Sequence, residues 1–112
     1  MELIDPSKIY ELEHMNGVKF QVKHWTVAMQ DEVDRRCLSI SPDGKVGYDT
    51  ALEREMRIDM SVIGWSGITM NSQEAPCDSN TKKMLPVGVL LWLQREIEDR
   101  AGLRITQTEK KS

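Results

Sequence analysis

Ile9-Tyr10-Glu11-Leu12-Glu13-His14-Met15-Asn16-Gly17-Val18-Lys19-Phe20-Gln21-Val22-Lys23 is the stretch on which the fold turns. Its second half alternates apolar and polar residues at period two from Val18 to Lys23, the pattern of a half-buried strand. The first half alternates more weakly, from Ile9 to Glu13. Asn16-Gly17 invites a two-residue turn, but that register would set Leu12 opposite Gln21 and Glu13 opposite Phe20, with the apolar sets on opposite faces. A three-residue loop, Met15-Asn16-Gly17, instead aligns Leu12 with Phe20 and Tyr10 with Val22. Gly17 then takes the left-handed position of a G1 bulge, which glycine occupies without a Cβ penalty. The expectation is a hairpin with one apolar face. Isolated hairpins are marginal in water, so Leu12, Phe20 and Val22 must pack on elements further along the chain.

Those elements read as helical. Thr26 is placed to cap a first helix running to about Ser39, with Met29, Val33 and Cys37 at i, i+4, i+8 and Leu38 and Ile40 extending the stripe. Ser41-Pro42-Asp43-Gly44 then breaks it. A second helix is expected from Asp49-Thr50. There Thr50-Ala51-Leu52-Glu53 matches a capping box, Leu52, Met56, Met60 and Ile63 form an apolar stripe, and Glu53–Arg57 lies on the solvated face. Gly64 and Gly67 flank Trp65 at its expected end. Ser66 to Ser79 shows no periodicity and reads as a long polar connection. Asn80 could cap a short turn before the Leu85-Pro86 break. Pro86 then opens a third helix with Val89, Leu90, Leu93 and Ile97 inward and Gly102 as its stop. The expected fold is α+β and mostly helical: an N-terminal β-hairpin packed on about three α-helices. It forms one globular domain over residues 1–102, with a polar tail over 103–112.

The 112 residues are 29% charged and 39% hydrophobic, which suits one soluble domain. The longest apolar run, Val87 to Leu93, is far short of the ~20 residues of a membrane span, and an acidic Glu2 and Asp5 come after Met1 where a signal peptide would be basic. A cytoplasmic protein is expected. The net charge is −3, and no basic stripe offers a nucleic-acid footprint. Cys37 and Cys77, without CxxC spacing, read as two free thiols in a reducing compartment.

Candidate chemistry is sparse. His14 and His24 both fall in the hairpin and lack further ligands at a metal-binding spacing. Cys37 sits on an apolar stripe, where a thiol behaves as a small hydrophobe, and Cys77 lacks a neighbour that would activate it. Asp31, Glu32, Asp34, Glu53, Glu55 and Asp59 fall on faces that read as solvated. Gly44-Lys45-Val46-Gly47 lacks the rest of a phosphate loop. No catalytic, cofactor or metal residue is therefore nominated. Methionine is the feature left over. Met56 and Met60 read as core, whereas Met15, Met70 and Met84 fall outside the stripes. Methionine suits surfaces that accommodate varied apolar partners, so Trp65, Met70, Met84 and Trp92 are nominated as a partner-binding patch.

The order of motifs also resembles a family. A strand pair leads into Trp25-Thr26-x-Ala28-x-Gln30-Asp31-Glu32-x-Asp34-Arg35-Arg36. Tyr48-Asp49-Thr50-Ala51-Leu52-Glu53-Arg54-Glu55-Met56-Arg57 comes next. Trp65-x-Gly67, a polar loop, Asn80-x-Lys82-Lys83-x-Leu85-Pro86 and an amphipathic helix complete it. Over about residues 8–100 this resembles the small tail assembly chaperones and related tail proteins of long-tailed bacteriophages and prophages. The resemblance implies a non-enzymatic factor of the host cytoplasm that covers an apolar helical client, the tape measure protein, and helps recruit tail tube protein. It implies no cofactor, no nucleic acid and no membrane, and leaves self-association open. A structural head–tail joining or tail-completion subunit of the virion is the alternative.

Overall fold

A computed structural model describes residues 1–3, 5 and 7–103; the expected tail from residue 104 onward lies outside the described residues. The hairpin forms with the register expected. β1 (Ile9–His14) pairs antiparallel with β2 (Val18–Lys23), Leu12 opposite Phe20 and Tyr10 opposite Val22. Met15–Gly17 makes a single 3-10 turn between them, and Gly17 has φ +75°. Next comes α1 (Val27–Cys37), its first turn capped by Thr26, whose Oγ1 accepts a hydrogen bond from the Met29 N–H at 3.2 Å.

From Cys37 onward the architecture departs from a mostly helical chain. Among the described residues helix accounts for 43% and strand for 27%, and the strands form three small antiparallel sheets. Leu38 and Ile40 do not extend α1; they belong to β3 (Leu38–Ile40), which pairs with β4 (Val46–Tyr48). Ser41-Pro42-Asp43-Gly44, expected to end a helix, instead turns this second hairpin, with the Gly44 N–H donating to the Ser41 carbonyl at 2.9 Å. α2 (Thr50–Ser61) is capped by Asp49 rather than Thr50: the Asp49 carboxylate accepts from the Leu52 N–H at 3.0 Å, so no capping box forms at Thr50.

The expected second helix stops at Ser61, and Val62 begins β5 (Val62–Ser66), the third strand of the first sheet, in the order β1-β2-β5. Phe20 faces Trp65 and Gln21 faces Gly64, but Val22 faces Val62, so Ile63 is an extra residue in β5. That bulge turns Ile63 outward and keeps both Val62 and Trp65, three residues apart, on the inner face. Gly67 closes the strand with φ +82°; a Cβ there would lie 2.9 Å from the Gly17 carbonyl oxygen. The long polar connection proves to be a third hairpin, β6 (Thr69–Met70) and β7 (Gln73–Glu74). Asn71 and Ser72 both take positive φ, 54° and 63°, as a two-residue turn of right-handed strand twist requires.

A four-residue α3 (Ser79–Lys82) is capped by Asp78 instead of Asn80. α4 (Val87–Arg100) then starts after Pro86. It ends in a Schellman motif, with Leu103 N–H donating to Glu98 O at 2.9 Å and Gly102 N–H to Asp99 O at 3.2 Å. The main core joins the inner face of the sheet (Leu12, Phe20, Val22, Val62, Trp65) to Ile58 of α2 and Leu93 and Ile97 of α4. A smaller core of Val33, Cys37 and Met56 lies between α1 and α2, and Trp25 packs against both.

Candidate functional site

The nominated residues separate on folding. Trp65 is core: it is 7% exposed, its indole Nε1 donates to the Ala75 carbonyl at 2.8 Å, and its ring meets Phe20 edge-on. Trp92 is half-buried, its ring centroid 4.7 Å from that of His14 and 6.2 Å from that of Phe20. Both tryptophans thus flank Phe20 and hold α4 to the sheet. Met70 lies exposed on the β6–β7 hairpin, and Met84 lies exposed between α3 and α4. Met84 follows Lys83, which lines an open concavity.

That concavity is an open groove of about 210 Å³ between α2 on one side and α3 with the start of α4 on the other. Ala51 and Ile58 of α2 and Leu90 of α4 form its apolar part. Val87 precedes Leu90 by one helical turn, and Leu91 stands one turn after Val87 on α4. Met84, next in sequence to the groove-lining Lys83, and Val87 and Leu91, within one turn of the groove-lining Leu90, are all exposed and present apolar surface.

The charged rim is built from two ion pairs and an arginine. Lys82, almost buried, donates from Nζ to the Asp59 carbonyl at 3.1 Å and to its carboxylate at 3.2 Å, while Ser79 Oγ donates to the same carboxylate at 2.8 Å. Partial burial alone would raise the Asp59 carboxyl. The hydrogen bonds from Ser79 and Lys82 and the charge of both lysines outweigh it, so Asp59 titrates below the usual carboxylate value. Lys83 pairs with Glu55 at 2.9 Å, and that contact raises the ammonium. Arg54 lines the groove without an ion pair or hydrogen bond among the described residues.

A second uncovered surface lies outside the nominated set. Leu38, Ile40, Val46 and Tyr48 occupy one face of the β3–β4 hairpin and remain 49, 69, 67 and 39% exposed. The signal is present in the sequence: Leu38-x-Ile40 and Val46-x-Tyr48 alternate on either side of a turn. At its base the Tyr48 hydroxyl donates to Glu53 at 2.8 Å and Asp34 at 3.2 Å.

These carboxylates belong to a polar network centred on Arg57. Far from sitting on a solvated face, Arg57 is 3% exposed. Its Nη2 lies 3.3 Å from Gln30 Oε1 and 3.6 Å from Glu53, its Nη1 lies 3.8 Å from Glu98, and its guanidinium stacks 4.9 Å over the Trp25 ring. The Trp25 indole also donates to Gln30 Oε1, at 3.0 Å. Three helices and the second hairpin are thereby tied together around one buried charge.

Both thiols are free, and burial pushes each pKa up, which disfavours the nucleophilic thiolate. Among the described residues no group of three or more His, Cys, Asp or Glu side chains is arranged to hold a metal ion, and no helix is long and apolar enough to cross a membrane. No family model matches the chain, and neither a curated protein nor a solved structure is significantly similar to it.

Proposed function

We propose that this chain is a non-enzymatic tail assembly chaperone that holds an apolar helical client, such as a tape measure protein, in the groove between α2 and α4. The observation that carries this reading is the groove itself, apolar where Ala51, Ile58 and Leu90 line it; Met84, Val87 and Leu91, exposed, stand within a helical turn of its lining residues Lys83 and Leu90 in sequence. An amphipathic helix docks by laying its apolar stripe into such a groove, with anchors at helical spacing. An exposed methionine such as Met84 adapts to differing side chains. A long client with unsatisfied apolar stripes would otherwise aggregate before assembly.

The test is titration of the chain with amphipathic segments of a tape measure protein, read by binding and by suppression of their aggregation. Val87 and Leu91 are exposed, so Val87→Glu and Leu91→Glu leave the core intact while setting a carboxylate against the client. Each should weaken binding by about tenfold, the loss of one well-packed apolar anchor. The proposal fails if the wild-type chain neither binds nor protects these segments, or if both variants bind as it does.

A further inference from the structure

No described residue covers the apolar face of the β3–β4 hairpin, and every residue from 38 to 51 is exposed. Two-stranded hairpins need a further strand or a packing partner to be stable in water. Its backbone shows where that strand would come from. The Ser41 N–H donates to Lys45 O, and the Asp49 N–H donates to Cys37 O. Antiparallel pairs alternate between bonded and non-bonded, so Ser39 and Gly47 form the bonded pair between these two. Val46 and Tyr48 therefore turn their N–H and C=O groups away from β3, toward the open edge of β4.

We propose that this edge pairs with the same edge of a second copy of the chain, antiparallel about a two-fold axis at Gly47. Lys45-Val46-Gly47-Tyr48-Asp49 is self-complementary in that register. Val46 of one copy stands opposite Tyr48 of the other, and Lys45 opposite Asp49. The four outward backbone groups of each copy are then satisfied in four hydrogen bonds, and the two apolar faces merge into one four-stranded sheet. Aromatic against β-branched and cation against anion are both favourable cross-strand pairs. The charges are available: the Lys45 side chain is 85% exposed and meets Asp43 only at 3.9 Å, and the Asp49 carboxylate accepts from the Leu52 N–H and faces no cation among the described residues. The edge of β3 lacks this match, because a two-fold at Ser39 sets Cys37 opposite Ser41. A C2 pairing of this kind closes on itself and does not propagate. The pairing uses residues 45–49, none of which lines the α2–α4 groove, so it is tested separately from client binding.

Sedimentation equilibrium from micromolar to hundreds of micromolar should show a reversible monomer–dimer equilibrium. Val46→Pro removes an N–H that the hairpin itself does not use, and Lys45→Glu sets two carboxylates opposite each other. Either change should raise the dimer dissociation constant by about tenfold or more, with the circular dichroism of the monomer unchanged. Gly47→Cys gives a second readout. Non-bonded antiparallel partners lie about 4.5 Å apart at Cα, within disulfide reach, so mild oxidation should link two copies through position 47. Ser39→Cys should not link. A chain that stays monomeric throughout the concentration range overturns the proposal, and so does cross-linking through position 39 in place of 47.

Discussion

Replacing Arg57 by Met tests whether one buried charge holds the two cores of this protein together. Methionine fills most of the arginine stem, so the change removes charge and hydrogen bonding with little loss of packing. The interactions lost are the 3.3 Å contact to Gln30, ion pairs at 3.6 and 3.8 Å to Glu53 and Glu98, and the stacking on Trp25. Removing one partner of a fully buried pair costs about 3–5 kcal/mol. Here the penalty is moderated, because the side chains of Glu53 and Glu98 keep 23 and 19% exposure and Glu53 retains the hydrogen bond from Tyr48. The Arg57 Nε, buried without a hydrogen-bond partner among the described residues, is also a cost that methionine relieves. The net loss is then about 2–3 kcal/mol. At roughly 4–8 °C per kcal/mol for a domain of this size, Tm should fall by roughly 8–24 °C. Urea unfolding followed by both far-ultraviolet circular dichroism and tryptophan fluorescence measures the change. Adding Glu53→Gln and Glu98→Gln to Arg57→Met should recover part of the loss, since no charge is then stranded. A stability for Arg57→Met within about 0.5 kcal/mol of the wild type would refute the view that this charge ties α1, α2 and α4 together.

Local geometry sets two further outcomes. Gly67→Ala should destabilise the fold by at least about 1–2 kcal/mol, since φ +82° disfavours a Cβ and that Cβ would meet the Gly17 carbonyl oxygen at 2.9 Å; equilibrium unfolding with wild-type stability would show that β5 does not need this close approach. The two tyrosines should ionise only above the ordinary value of about 10, as read by phenolate absorbance on alkaline titration. Tyr10 is raised chiefly by burial, against the charge of Arg100. Tyr48 is raised further, first by burial and then by its hydrogen bond to Glu53. A raised folded value means that the neutral phenols contribute stability fully present below about pH 10 and lost as pH climbs through the folded values, so alkaline unfolding should accompany tyrosine ionisation. A phenolate step below pH 10 in the folded protein would contradict both placements.

The first hairpin is legible in the sequence because two local signals agree: apolar alternation and a glycine at the one loop position that needs positive φ. Only the three-residue loop puts Leu12 and Phe20 on the same face, and the register is set by that requirement alone. α1 and the start of α4 are legible for the same reason, since capping and punctuation are written in the few residues at a helix end. β5 is not. Val62 and Trp65 are spaced by three, which is helical spacing, and they share a strand face only because Ile63 bulges out. What decides between helix and strand there is the open edge of β2, about 40 residues away in the chain, and no window of local sequence contains it.

The exposed hairpin is hidden for a different reason. Leu38 and Ile40 continue the i, i+4 stripe of α1 closely enough that the stripe predicts them to be buried, yet they emerge facing solvent. Local pattern identifies an apolar face but not what covers it. When that face belongs to the last turn of a helix, the body of the same chain covers it; when it belongs to a two-stranded hairpin standing off the body, the cover must be something else. Trp65 makes the converse case. A tryptophan between two glycines reads as a surface anchor, and it is instead held in the core by the Ala75 carbonyl that its indole N–H finds there. Burial of Trp65 and exposure of Ile40 are both set by long-range pairing, β2 with β5 in one case and β3 with nothing beyond β4 in the other. The uncovered apolar surfaces of this protein therefore lie where its own strands and helices run out of partners.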